Sequence, residues 1–232
     1  MSQQQAPGRS QQHRQSNPGG AAGGFATRQR PRQSLQQPQP AQQQSQPPRQ
    51  QQQTGATAGP VGQQFSTRSY LPEGVRTTSI GLLNRCLADL VTVTMQLKHA
   101  HWNVKGRQFY QLHALFEDMV ETLGPHVDAV AERASALGGQ ALGTPQDVVR
   151  TSRIPQLPRE AVDGPALLDD VTYRLSLLDA NIHRAIETAT RQEDLDTADL
   201  LNEVSRDVSE ALWFVEAHLQ GPRGAGPTGE RG

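Results

Sequence analysis

The chain has 232 residues, a formal charge of −1, one cysteine and 19% charged residues. The lone Cys86 excludes a disulfide framework and suits a reducing compartment, and no apolar run approaches the roughly 18 residues that cross a membrane. The polar N-terminus lacks the apolar stretch of a signal peptide, so a cytoplasmic protein is expected.

The small net charge hides unlike parts. Residues 1–72 hold 21 Gln, seven Arg and no Asp or Glu, a formal +7. So few apolar anchors cannot offset the entropy of ordering, and a disordered tail is expected there. Its arginines, Arg9, Arg14, Arg28, Arg30, Arg32, Arg49 and Arg68, can neutralise phosphates without reading sequence, which points to DNA as a non-specific partner. Residues 73–220 hold 13 Lys/Arg against 22 Asp/Glu, a formal −9, and are long enough for one domain with a core. Residues 221–232 form a second tail, rich in Gly and Pro and too irregular for a collagen helix.

Within the acidic part the apolar spacing reads as helices. Ile80, Leu83, Leu87, Leu90, Thr94 and Leu97 recur at steps of three and four, predicting a first helix over about 77–103 whose next inward position is His101. Phe109, Leu112, Phe116, Val120, Leu123, Val127, Val130, Ala134 and Leu137 mark a second, which contains Pro125 and stops at Gly138-Gly139. Thr144-Pro145 opens a short extra helix, with Thr as N-cap and Pro at the first helical position. Leu168 to Ile186 mark a third long helix beginning near Pro165, and Leu201 to Leu219 a fourth. Trp213 is expected in the core and Cys86 in a structural role. Two short links and one long crossover of about 27 residues predict an all-α, ferritin-like four-helix bundle.

The second helix carries metal-type residues. His113 and Glu117 are four apart and share a face; so do Asp128 and Glu132. Eleven residues, about three turns or 16 Å, separate Glu117 from Asp128. Ligand bonds are roughly 2 Å, so no single ion bridges both pairs. An antiparallel copy of the helix would bring Glu117 of one chain near Asp128 of another, and the spacing suggests a site shared between subunits. Imidazole with carboxylate accepts Fe(II), and carboxylate also holds Fe(III).

The runs AHWNVKGRQFYQLHALFED (100–118), HVDAVAERASALGG (126–139) and DTADLL…SRDVSEALWFVE (196–216) closely resemble the Dps family, the ferritin-like DNA-protecting proteins of starved cells. The resemblance spans about 76–219. It implies a hollow homo-oligomer, a dodecamer, that oxidises Fe(II) with hydrogen peroxide or oxygen, stores the ferric product and protects DNA in the cytoplasm or nucleoid. By position, His101, His113 and Glu117 would come from one subunit and Asp128 and Glu132 from its neighbour. Many members carry Asp where this chain has Glu117. The Glu-x-x-His motif of ordinary di-iron bundles is absent. Trp102 would sit beside the iron site. Asp194, Asp199 and Glu203 would line an iron-uptake pore, although acidic residues opening a helix also serve its dipole. The competing reading is an architectural DNA-condensing protein with secondary metal binding; a third is a cage that binds no DNA.

Overall fold

The computed structural model describes residues 59–220. Five helices follow in order: α1 Glu73–Asn103, α2 Phe109–Ala136, α3 Pro145–Thr151, α4 Gly164–Arg191 and α5 Leu195–Leu219. Among the described residues the only bridge-like pairing is Lys105 with Asp163, made by Lys105 N–H donating to the Val162 carbonyl (2.8 Å). Among the described residues no helix is long and apolar enough to cross a membrane.

The expected all-α bundle is present. Helix α1 packs on α2 and α4, and α5 packs on the same two, closing a ring of four long helices. The predicted stripes form the core: Ile80, Leu83, Leu90, Leu112, Phe116, Leu123, Leu175, Leu178, Ile182, Leu201, Val204 and Val208 are all sealed from solvent. Cys86 joins this core, and burial pushes its thiol up to about 12, so it stays protonated and inert. Pro125 lies inside α2 without ending it. The Thr144 hydroxyl accepts from Asp147 N–H, the cap that the Thr-Pro signal implied for α3.

Three expectations need correction. Helix α1 starts at Glu73 rather than 77, because Arg76 N–H already bonds the Pro72 carbonyl (3.0 Å). Trp213 is 58% exposed rather than core: it lies off the stripe of Leu201, Val204, Val208, Ala211 and Val215 that α5 buries. The tail boundary also moves. The segment 59–72 is docked on the body, while the rest of the expected disordered tail, residues 1–58, lies outside the described residues, as does 221–232.

The docking has specific causes. Asn84, fully buried in α1, donates to the carbonyls of Pro60 (2.9 Å) and Gln140 (3.0 Å) and accepts from Leu142 N–H (2.9 Å). Phe65 N–H donates to the Gly138 carbonyl (2.7 Å). Gly138 has φ +85°, and a Cβ there would come within 2.5 Å of the Phe65 carbonyl oxygen, so both its backbone and its neighbour require glycine. Gly59 meets Gly81 backbone to backbone: a Cβ on either would collide with the other at under 3 Å. Leu71, 6% exposed, completes the anchor.

The crossover between α2 and α4 is held by one buried carboxylate. Asp89 of α1 accepts from the Ser152 hydroxyl (3.1 Å), Arg153 N–H (2.7 Å), the Arg153 guanidinium through Nε (3.0 Å) and Nη2 (2.7 Å), and Asn181 Nδ2 (3.0 Å). Gln96 and Arg174 add bonds to the carbonyls of Pro155 (3.0 Å) and Gln156 (2.5 Å). Asp89→Ala should destabilise the domain by about 3–5 kcal/mol, because it strands a guanidinium and an amide without their acceptor. Urea unfolding of the purified variant measures this; a loss under about 1 kcal/mol would show that the crossover is held by its apolar contacts alone.

Candidate metal centre

The turn between α1 and α2 runs over 104–108 and makes the two helices antiparallel. His101 closes α1 and His113 lies one turn into α2, so the turn brings them together. Their rings stack with centroids 3.7 Å apart and planes 22° from parallel. Each ring bonds the other's backbone: His101 Nδ1 meets the His113 carbonyl at 2.8 Å, and His113 Nδ1 meets the His101 carbonyl at 2.8 Å. A carbonyl oxygen only accepts, so both Nδ1 atoms carry the proton. In the neutral rings Nε2 is therefore the nitrogen with the free lone pair. Both imidazoles are fixed in the tautomer a metal ligand needs, by the chain's own backbone.

Glu117, one turn beyond His113, lies beside them. One of its carboxylate oxygens, Oε2, is 3.4 Å from His101 Nδ1. Lys98, one turn before His101, bonds both carboxylate oxygens, at 2.6 Å to Oε1 and closer still to Oε2. That hydrogen bond holds the Glu117 carboxyl below the usual range against the opposing effect of desolvation, aided by the charge of Lys98 and the nearby histidines. Lys98 was not singled out from the sequence. Its signal was its place three residues before His101, the same spacing that put His101 on the inner stripe.

Asp128 and Glu132 are both exposed on α2, on the far side of Pro125 from Glu117. The chain does not bring them to the histidines, and among the described residues no group of three or more His, Cys, Asp or Glu is arranged to hold a metal. Glu117 and Asp128 lie in one continuous helix, so eleven residues of helical rise, about 16 Å, separate them. The chain thus carries two separate groups of candidate residues. Trp102, next to His101, is 57% exposed. Phe109 packs its ring against His113, with centroids 5.2 Å apart.

The acidic residues opening α5 separate into two kinds. Asp194 is fully buried: its carboxylate accepts from Thr197 N–H (3.2 Å) as the N-cap and from Arg133 Nη2 (2.7 Å). Burial works to raise its pKa, but bonding to Ser79, Thr197 and Arg133 prevails and holds the carboxyl below the usual range. Its place is therefore structural, a helix cap, and not the channel-facing carboxylate expected from the sequence. Asp199 and Glu203 are exposed and remain open to solvent. Arg68 of the basic tail is exposed, on the docked segment; Arg9, Arg14, Arg28, Arg30, Arg32 and Arg49 lie outside the described residues.

The family model of the ferritin-like domain matches residues 80–224. The chain is 37% identical over 154 residues to the DNA protection during starvation protein of Agrobacterium fabrum, an alignment covering 66% of this chain and 95% of that one. Among solved structures it is similar to DpsC from Streptomyces coelicolor, with a TM-score of 0.66 and 32% identity over 69% of this chain and 94% of the other. It shares its fold with a Dps protein of Vibrio cholerae, described as a member of a broad superfamily of ferritin-like diiron-carboxylate proteins, at a TM-score of 0.61 and 22% identity over 67% of this chain and all of that one. Bundle topology, family model and relatives agree: the chain belongs to the Dps family of the ferritin-like superfamily.

Proposed function

We propose that the protein is a ferroxidase and iron-storage cage, a dodecamer, whose oxidation sites are shared between subunits and whose basic arms bind DNA without sequence preference. The observation that carries the reading is the reciprocal lock of His101 and His113. It leaves both Nε2 atoms with their lone pairs available, with the Glu117 carboxylate 3.4 Å from His101 Nδ1, and the second carboxylate pair stands about 16 Å further along α2. In this reading His101, His113 and Glu117 of one subunit and Asp128 and Glu132 of its neighbour receive Fe(II) as substrate. Mixed nitrogen and oxygen donors suit Fe(II), and the three carboxylates retain the harder Fe(III).

Hydrogen peroxide is the oxidant that fits paired irons. Two Fe(II) release one electron each; one peroxide takes both, its O–O bond breaks, and with two protons it leaves as two waters. No hydroxyl radical is released, which is how such a centre protects nearby DNA. Trp102 lies next to the site and can absorb stray oxidising equivalents. Asp199 and Glu203 supply the negative field of the uptake pore, and Asp194 positions that helix end. The relatives' printed name, DNA protection during starvation protein, supports the protective role.

The shared site has a direct test. His113→Ala, or Asp128→Ala with Glu132→Ala, should each abolish rapid Fe(II) oxidation while the cage assembles. Cages reassembled from both variants should regain part of the rate, since some interfaces then hold one complete site; stopped-flow oxidation reads this, and mixed cages with no rescue would refute sharing.

Lys98 competes with iron for Glu117. Lys98→Met should tighten anaerobic Fe(II) binding several-fold, because one cation no longer has to be displaced by another. Unchanged or weaker binding in a Fe(II) titration would make Lys98 a supporting residue of the site.

Deleting residues 1–58, and leaving the docked 59–72 in place, should reduce DNA affinity at least about tenfold at low salt, since six of the arm's seven arginines are lost. Peroxide-driven oxidation should be unaffected, because every proposed ligand lies between residues 101 and 132. Gel retardation and oxidation kinetics on the same preparation check both halves.

A further inference from the structure

Between α1 and α4 lies a cavity of about 160 Å³ lined by Arg85, Arg153 and Arg184 together with Asn181, Thr188 and Cys86. Among the described residues no acidic side chain lines it. Three arginines lining one cavity are unexpected in a body whose formal charge is −9 over residues 73–220. Asp89, buried beneath, offsets one of the three charges.

The arginines are held in place. Arg184 Nη1 donates to Asn181 Oδ1 (2.6 Å). Asn181, 6% exposed, donates to Asp89 Oδ2 (3.0 Å), and Asp89 receives Nε and Nη2 of Arg153 (3.0 and 2.7 Å). One hydrogen-bonded chain thus runs from Arg184 through Asn181 and Asp89 to Arg153 and orients both guanidiniums. Each guanidinium carries five N–H donors, and these contacts use one on Arg184, and two on Arg153 besides its backbone N–H. Pre-oriented arginine forks with donors to spare match the tetrahedral oxygens of a phosphate group. The Thr188 side chain at the rim can add a hydroxyl donor.

The cavity also lies where the arm joins the body. The first described residue, Gly59, packs against α1 so closely that a Cβ on it would meet Arg85 Cγ at 2.6 Å. Residues 1–58, with six arginines, precede it directly in the chain.

We propose that the Arg85–Arg153–Arg184 cavity is a phosphate-binding seat, occupied by a backbone phosphate of DNA delivered by the arm or by free phosphate. The DNA half rests on the reading given above; the phosphate half does not. The test uses full-length, metal-free protein. Arg184→Glu and Arg184→Gln are the variants, since Arg184 is exposed and its side chain is held only through Asn181. Arg14→Glu, in the arm, is the control. Inorganic phosphate is titrated by calorimetry, and a short DNA duplex is titrated across a salt series.

Both Arg184 variants should weaken inorganic phosphate binding by about tenfold or more, the loss of one charge-assisted contact, and Arg14→Glu should not. A matching fall in DNA affinity with a shallower salt slope places a DNA phosphate in the seat. Lost phosphate binding with unchanged DNA affinity makes free phosphate the occupant. Absence of phosphate binding in the wild type, or binding that both Arg184 variants retain, overturns the proposal. Wild-type protein that takes phosphate but never binds DNA would refute the arm reading and leave the seat standing.

Discussion

Asp89 puts a carboxylate where water does not reach, and much of the domain is arranged to satisfy it. An uncompensated charge there would cost several kcal/mol. The donors come from the crossover at Ser152 and Arg153 and from α4 at Asn181. One side chain on α1 therefore fixes the path of the connection and ties it to α4. Five residues earlier in the same helix, Asn84 does the equivalent for the docked N-terminal segment and the chain leaving α2. Helix α1 is thus more than a wall of the core: its buried polar residues decide where both long irregular segments lie. The same network orients the arginines of the basic cavity.

The histidine pair shows the same economy at the other end of α1. The two Nδ1 protons are spent on backbone carbonyls across the helix pair, so ring orientation needs no further side chain. This works only because the turn at 104–108 is short, and because Val104 is buried and Lys105 pairs with Val162, which pins the turn to the start of α4. Glu117, by contrast, is already engaged by Lys98. The hydrogen bond and charge of Lys98 keep that carboxylate ionised.

Charge is distributed by segment. Basic residues dominate the chain before residue 73 and acidic ones after it. The acids at the start of α5 do not act alike: Asp194 is consumed by the cap and Arg133, whereas Asp199 and Glu203 face solvent. Distance from the helix start separates them. An N-cap side chain turns back onto its own backbone, while residues a turn or more later project outward.

The sequence by itself determined the four long helices, the short helix after the Thr144-Pro145 cap and the shared face of His113 and Glu117, because apolar period and capping chemistry are local properties of the chain. It also determined that Asp128 and Glu132 stand too far from Glu117 to join it, since helical rise is fixed by backbone geometry. The tertiary structure decided what depends on residues distant in sequence: that His101 and His113 lock each other's tautomers, that Lys98 holds Glu117, that Trp213 lies outside the core and that Asp194 is sealed under Arg133. It also decided that residues 59–72 are docked. Their composition reads as tail, and only Asn84, Gly81 and Gly138, contributed by other parts of the chain, give that segment partners for its backbone.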